Sequence, residues 1–200
     1  MSPASRLRIP GRPGRPLDTV VDGRIMQAAR EVVGEVGVER TTWARIAARS
    51  GSGYPTILRR WSSVEELVID ALRDLDGDVP ADADAPVREA LEHALRADLE
   101  AIATGANRMF VRTLLFASAA NAHLSDELQR VLLAPRRERY RRLLELGVER
   151  DELRPGADVE AAIGVLRGVL VRAIVDHRAA DPDRAGPTVD LLIDGMAAGR

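Results

Sequence analysis

Thr42, Arg45, Gly53, Tyr54, Pro55, Thr56, Arg59 and Arg60 lie within nineteen residues of one another and are of types suited to phosphates and base edges. Threonine hydroxyls and the backbone amides that open helices bond phosphate oxygens, as glycine can through its backbone alone. An arginine reaches a guanine edge or a backbone oxygen. Residue types for covalent chemistry are scarce by comparison. There is no Cys, and the three His (His93, His123, His177) lie far apart, so no thiol nucleophile, disulfide, metal centre or cofactor is expected. Acids such as Glu65-Glu66 and Asp74-Asp76 fall at helix caps and ends with no nucleophile or base converging on them, which argues against an enzyme.

The elements that must position these residues are helices. Val21, Ile25, Ala29, Val32 and Val36 recur at helical spacing from about Asp18, and Gly37 suits the left-handed residue that ends a helix. Thr42 can cap a short helix over Trp43 to Ser50, and Gly51-Ser52-Gly53 forces a turn. Pro55 then fits the first turn of a third helix running to about Trp61. Ser63-Val64-Glu65-Glu66 reads as a capping box opening a fourth helix to Leu75. Ala47, Gly51 and Ile57, at offsets of four and six, complete the logic. Steeply crossed helices need a small residue at the contact, a glycine for the turn, and a branched apolar plug shared with Ile46. This spacing predicts a helix-turn-helix whose second helix enters a major groove.

Composition at first points elsewhere. The 200 residues are 46% apolar and 30% charged, with a net charge of −2 and 3% aromatics, which excludes base stacking as a mode of binding. All 29 basic residues are Arg, a feature of genome composition with no functional weight. Residues 1–62, however, carry eleven Arg against five acids, and the remainder eighteen against twenty-six. A head of +6 on a body of −8 is the footprint of a polyanion partner at one end. Residues 1–17 read as a disordered basic arm, whose Arg6, Arg8, Arg12 and Arg15 could lie in a minor groove. The arm has no apolar signal segment, and the longest apolar stretch, Val159 to Val175, is broken by Glu160, Arg167 and Arg172. A cytoplasmic protein without a membrane span is expected.

Gly23 to Leu72 resembles the N-terminal domain of the tetracycline-repressor (TetR) family of transcriptional regulators. The resemblance rests on Ala28-Ala29, Gly37, Thr41-Thr42, Ile46-Ala47, Gly51, Thr56-Ile57, Arg59, Trp61 and Ser63-x-Glu65-Glu66-Leu67, kept in register without a gap. Leu133 to Arg137 and Glu152 to Pro155 resemble the family more loosely. The resemblance implies a dimeric, all-helical repressor whose C-terminal domain binds an effector that lowers DNA affinity. The positions matching DNA contacts are Thr42, Tyr54, Pro55, Thr56, Arg59 and Arg60. Ser52, Gly53, Leu58 and Val64 depart from the family's usual residues, leaving the contact map and the affinity open.

The whole reads as all-α: a helix-turn-helix domain over residues 18–76 and a helical effector-binding and dimerisation domain over 77–200. Further helices are expected at about 86–104, 108–121, 125–147 (kinked or divided by Pro135), 158–177 and 187–198. The penultimate helix is apolar almost all round and carries Gly164, Gly168 and Val171. The last has Val189, Leu192, Ile193, Met196 and Ala197 in a stripe. Together they suggest a four-helix homodimer interface and hence a palindromic operator. For the effector, Phe110, Phe116 and Tyr140 are the only aromatics after Trp61. Arg112, Asn121, His123, Arg172 and His177 are candidate polar anchors, and an apolar ligand of modest size is expected. Effector binding would act by population shift through the fourth helix and the Asp76–Ala85 segment. The alternative is a helical effector-binding or interaction protein whose DNA binding has weakened or been lost.

Overall fold

Glycine at 37 adopts φ +86° and ends the first helix, and glycine at 51 adopts φ +64° between the second and third. Both positions strain any residue with a Cβ. The computed structural model describes residues 19–76, 85–176 and 180–196. The basic arm and most of the 76–85 segment lie outside the described residues. Among the described residues ten α-helices follow in order: α1 (Thr19–Val36), α2 (Trp43–Ser50), α3 (Tyr54–Leu58), α4 (Val64–Arg73), α5 (Val87–Ala101), α6 (Gly105–Ser118), α7 (Ala122–Leu128), α8 (Ala134–Glu149), α9 (Val159–Val175) and α10 (Ala185–Met196). No strand occurs among the described residues.

The expected long helix over 125–147 is divided, as Pro135 suggested. Residues Gln129–Leu133 form a π-helical segment between α7 and α8. A proline near the start of α8 can donate no amide to the preceding turn, and one extra residue in that turn accommodates the lost bond.

One continuous apolar core runs from Ile25 in α1 to Met196 in α10. The head packs α1 against α2 and α4, and α1 also lies along α6 of the body. This contact is close: a Cβ added at Gly34 would meet the Met109 Cβ at 3.1 Å. In the body α5 is central, meeting α8, α9 and α10. The apolar stripe Leu91, Ala94, Leu95 and Leu99 on α5, continued by Ile102 at its C-cap, is interrupted by Asp98, which is 4% exposed.

Candidate nucleic-acid interface and effector cavity

Local chemistry builds the α2–α3 unit. The Thr42 hydroxyl accepts from the Arg45 amide at 3.4 Å and caps α2, while α3 is capped by Gly53 without any side-chain bond. Ile46 and Ile57 are fully buried between the crossed helices, and Trp61 closes the core with its Nε1 donating to Asp70 at 2.9 Å. Those inward residues leave Thr42, Arg45, Gly53, Tyr54, Pro55 and Arg59 exposed on the outer side, with Thr56 half-buried. Among the described residues neither Arg45 nor Arg59 has an ion-pair partner.

Arg60 is different. Its side chain is 10% exposed, its Nε pairs with Asp22 of α1, and its Nη1 donates to the Thr56 carbonyl at 3.0 Å. It ties α1 to the end of α3, an intramolecular engagement that the sequence pattern around it does not announce. Arg49 is likewise spent within the head, on Glu35 at 2.7 Å and Glu31 at 3.0 Å. The Gln27 amide and then Arg49 hold the Glu31 carboxyl below its usual range. Arg30 is buried, bonding Asp74 and the Ala71 carbonyl. The cationic excess therefore narrows onto fewer side chains than the charge count of the head suggests.

One departure from the family pattern, and one detail of the capping box, have visible consequences. The Ser52 hydroxyl is buried without a hydrogen-bond partner, where an aliphatic side chain would leave nothing unsatisfied. At α4 the Ser63 hydroxyl accepts from the Glu66 amide as expected. Glu66, however, reaches one residue further back, taking bonds from both the amide and the hydroxyl of Ser62 at 2.7 Å. Those bonds lower its pKa.

In the body a cavity of about 250 Å³ lies among α5, α6, the π-helical segment, α8 and α9. Its walls are Leu75, Ile102, Val111, Leu115, Leu132, Leu133, Leu170, Val171 and Ile174, joined by Asp98, Arg136 and Arg167. Asp98 accepts from the Arg136 Nε at 2.9 Å, the Arg139 Nη2 at 2.6 Å and the Tyr140 hydroxyl at 2.6 Å. Burial, and then the adjacent Asp98 charge, push the Tyr140 phenol well above its ordinary pKa. Arg136 also donates to the carbonyls of Leu132 and Leu75. Leu75 lies in the 3-10 turn Asp74–Asp76 after α4, so one guanidinium joins the cavity wall to the head.

None of the six expected effector residues lines this cavity. Phe110 is fully buried in the core, one position from Val111 and hence about 100° around α6 from the lining face. Tyr140 is buried behind Asp98, which its hydroxyl supports, and Phe116 is 67% exposed. Arg112 is half-buried away from the lining, while Arg172 is exposed beside Asp176. His123 is exposed with its Nε2 at 3.0 Å from Glu65 of α4, and Asn121 caps α7. His177 lies outside the described residues. The one sequence signal for the lining of this cavity was Asp98, a carboxylate within the apolar stripe of α5.

The expected dimer residues also divide. Gly164, Gly168 and Val171 are exposed on α9, with Val165 and Val175 beside them at about half exposure. Val189, Ile193 and Met196 are instead buried within the subunit, because α10 turns that stripe toward α5. Arg88 of α5 fixes this orientation by pairing with Asp190 and Asp194. Leu192 is half-buried, and on α10 the outward apolar residue is Leu191, at 80% exposure.

Steeply crossed short helices with an exposed polar front, joined to a helical body with an internal cavity, define a helix-turn-helix DNA-binding regulator. The model for bacterial regulatory proteins of the tetR family matches residues 25–71, and that for the tetracyclin repressor-like C-terminal domain matches residues 80–192. The chain belongs to the TetR family. It is 28% identical over 160 residues to the HTH-type transcriptional regulator YdeS of Bacillus subtilis, covering 78% of this chain and 79% of that one. Among solved structures, FadR of Bacillus subtilis in complex with stearoyl-CoA superposes with a TM-score of 0.72 at 19% identity, covering 86% of this chain and 98% of that one. The ketosteroid regulator KstR2 of Mycobacterium tuberculosis gives 0.61 at 19% identity, covering 96% and 100%. Among the described residues no helix is long and apolar enough to cross a membrane, and no cluster of side chains suits a metal ion.

Proposed function

We propose that the chain is a homodimeric repressor that binds a palindromic operator and is released from it by a small apolar effector. The observation that carries this reading is the outer surface of α2 and α3. There Arg45 and Arg59 stand exposed and, among the described residues, in no ion pair, while neighbouring Arg49 and Arg60 are engaged. Thr42, Tyr54, Pro55 and Thr56 complete a surface that leads into a major groove. The apolar face Gly164, Val165, Gly168, Val171 and Val175 of α9, with Leu191 of α10, is the proposed interface. Isologous pairing there would set two recognition helices about one DNA turn (roughly 34 Å) apart.

Coupling to the cavity runs through the Arg136–Leu75 hydrogen bond. Leu75 both lines the cavity and sits in the 3-10 turn Asp74–Asp76 that closes the head. An occupant that favours a different placement of Leu75 shifts the pair of heads away from the spacing that fits successive grooves. The test is fluorescence anisotropy with the DNA upstream of this gene and with a scrambled duplex, across a salt series. Tighter binding to the upstream DNA, with log affinity falling linearly in log salt, is expected. Equal and weak binding to both duplexes would overturn the reading in favour of an effector-binding protein without DNA recognition.

A further inference from the structure

The cavity holds three charged side chains, and they are not equivalent. Asp98 and Arg136 are 4% and 8% exposed and bonded to each other, and Arg136 also holds two backbone carbonyls. Arg167 is half-buried and, among the described residues, has no carboxylate partner, yet it lines a cavity otherwise walled by Leu, Ile and Val. An arginine facing apolar walls loses hydration and gains nothing in return unless an anion joins it. Val171, one turn along α9, also lines the cavity and is 51% exposed. Arg167 and Val171 therefore mark the mouth, which opens at the edge of the proposed α9 interface with Val171 belonging to both, and Leu75, Asp98 and Arg136 the floor.

We infer that the cavity takes an aliphatic monocarboxylate of medium chain length, its carboxylate on Arg167 at the mouth and its tail among Ile102, Val111, Leu115 and Leu170. Size sets the length. A methylene occupies about as much room as a water molecule, whose share of the liquid is about 30 Å³, so the cavity holds a chain of roughly eight carbons. A stearoyl chain would need about twice this volume. The bidentate geometry of guanidinium and carboxylate separates an acid from the alcohol of equal length. A tail of this length reaches Leu75, so the inference deepens the ligand-responsive reading. It rests on that reading for the consequence at DNA, though not for binding itself.

The experiment is calorimetric titration of the full chain with octanoate, octan-1-ol and octanoyl-CoA, repeated on Arg167→Gln, Arg167→Lys and Leu115→Trp. The parent protein should bind octanoate about tenfold or more tightly than octanol. Arg167→Gln should erase that preference while leaving octanol affinity within about twofold, and Arg167→Lys, which keeps the charge but not the bidentate fork, should retain only part of it. Leu115→Trp, which fills the cavity, should remove binding of both. Three results would overturn the inference: no octanoate binding, equal affinity for acid and alcohol in the parent protein, or tighter binding of octanoyl-CoA, which has no free carboxylate. The acid–alcohol comparison decides even if a variant fails to fold. DNA anisotropy on the same preparation separates the two readings. Acid binding without DNA binding defeats only the regulator, and DNA binding without acid binding defeats only the ligand.

Discussion

In the head, Arg45 and Arg59 are exposed and, among the described residues, in no ion pair, whereas in the body Arg136 and Arg139 converge on Asp98 beneath the surface. The same residue type has opposite work in the two regions. An exposed arginine is fully hydrated and contributes little to folding, so its free energy is available to a polyanion. A buried arginine has already given up its water and is held by hydrogen bonds, so its removal is felt by the fold. Arg60 shows that the distinction follows burial and not position. It is next to Arg59 in sequence, yet it belongs with the body's arginines in kind.

The sharpest way to break this comparison is Asp98→Asn. It strips the charge from a centre that faces two arginines and a tyrosine hydroxyl, and urea denaturation should show a loss of roughly 3–5 kcal/mol. A loss below about 1 kcal/mol would mean that water or another group already solvates those arginines. A paired experiment in the head comes next. Arg59→Ala should cost about 1–3 kcal/mol of DNA binding and leave the melting temperature nearly unchanged. Arg60→Ala should lower the melting temperature and leave the salt slope of DNA binding unaltered. If the two variants exchanged behaviour, the assignment of Arg60 to the fold would fail.

The smallest effect is expected at Glu66. Its folded pKa lies below the ordinary 4.5 through bonds from Ser62. The stability it contributes is therefore complete above the unfolded value and is lost as pH falls through the folded one. Glu66→Gln should melt lower than the parent at about pH 7, and the difference should shrink toward about pH 3. A gap that stays constant with pH would assign the effect to packing instead.

The head was legible because its determinants are local. Thr42, Gly51, Pro55 and Ser63 each act within four residues of their own position, and the structure places them at the caps and turn that the spacing implied. Arg60 escaped because its partner, Asp22, is 38 residues away, and no pattern around Arg60 points to α1. The same holds more strongly in the body. Periodicity identified α9 and α10 as apolar helices, but which side of α10 faces inward is decided by α5, through Arg88 and the core at Val189 and Ile193. The cavity residues come from six elements that meet only in three dimensions. Aromatic content was a poor guide to them, since Phe110 and Tyr140 fill the core while leucines line the space.

Gly34 carries a mechanical consequence. On one side α6 supplies Val111 and Leu115 to the cavity wall, and next to them Met109 and Phe110 rest almost on the bare backbone of α1. Side chains between two helices act as a cushion, since a rotamer change can absorb a small shift. Here that cushion is missing. A displacement of α6 by an occupant would reach α1 as play-free motion, as in a linkage whose joint has no slack. Because α1 is the helix on which α2 and α4 are mounted, the absence of one methyl group sets how faithfully the body's movement is delivered to the head.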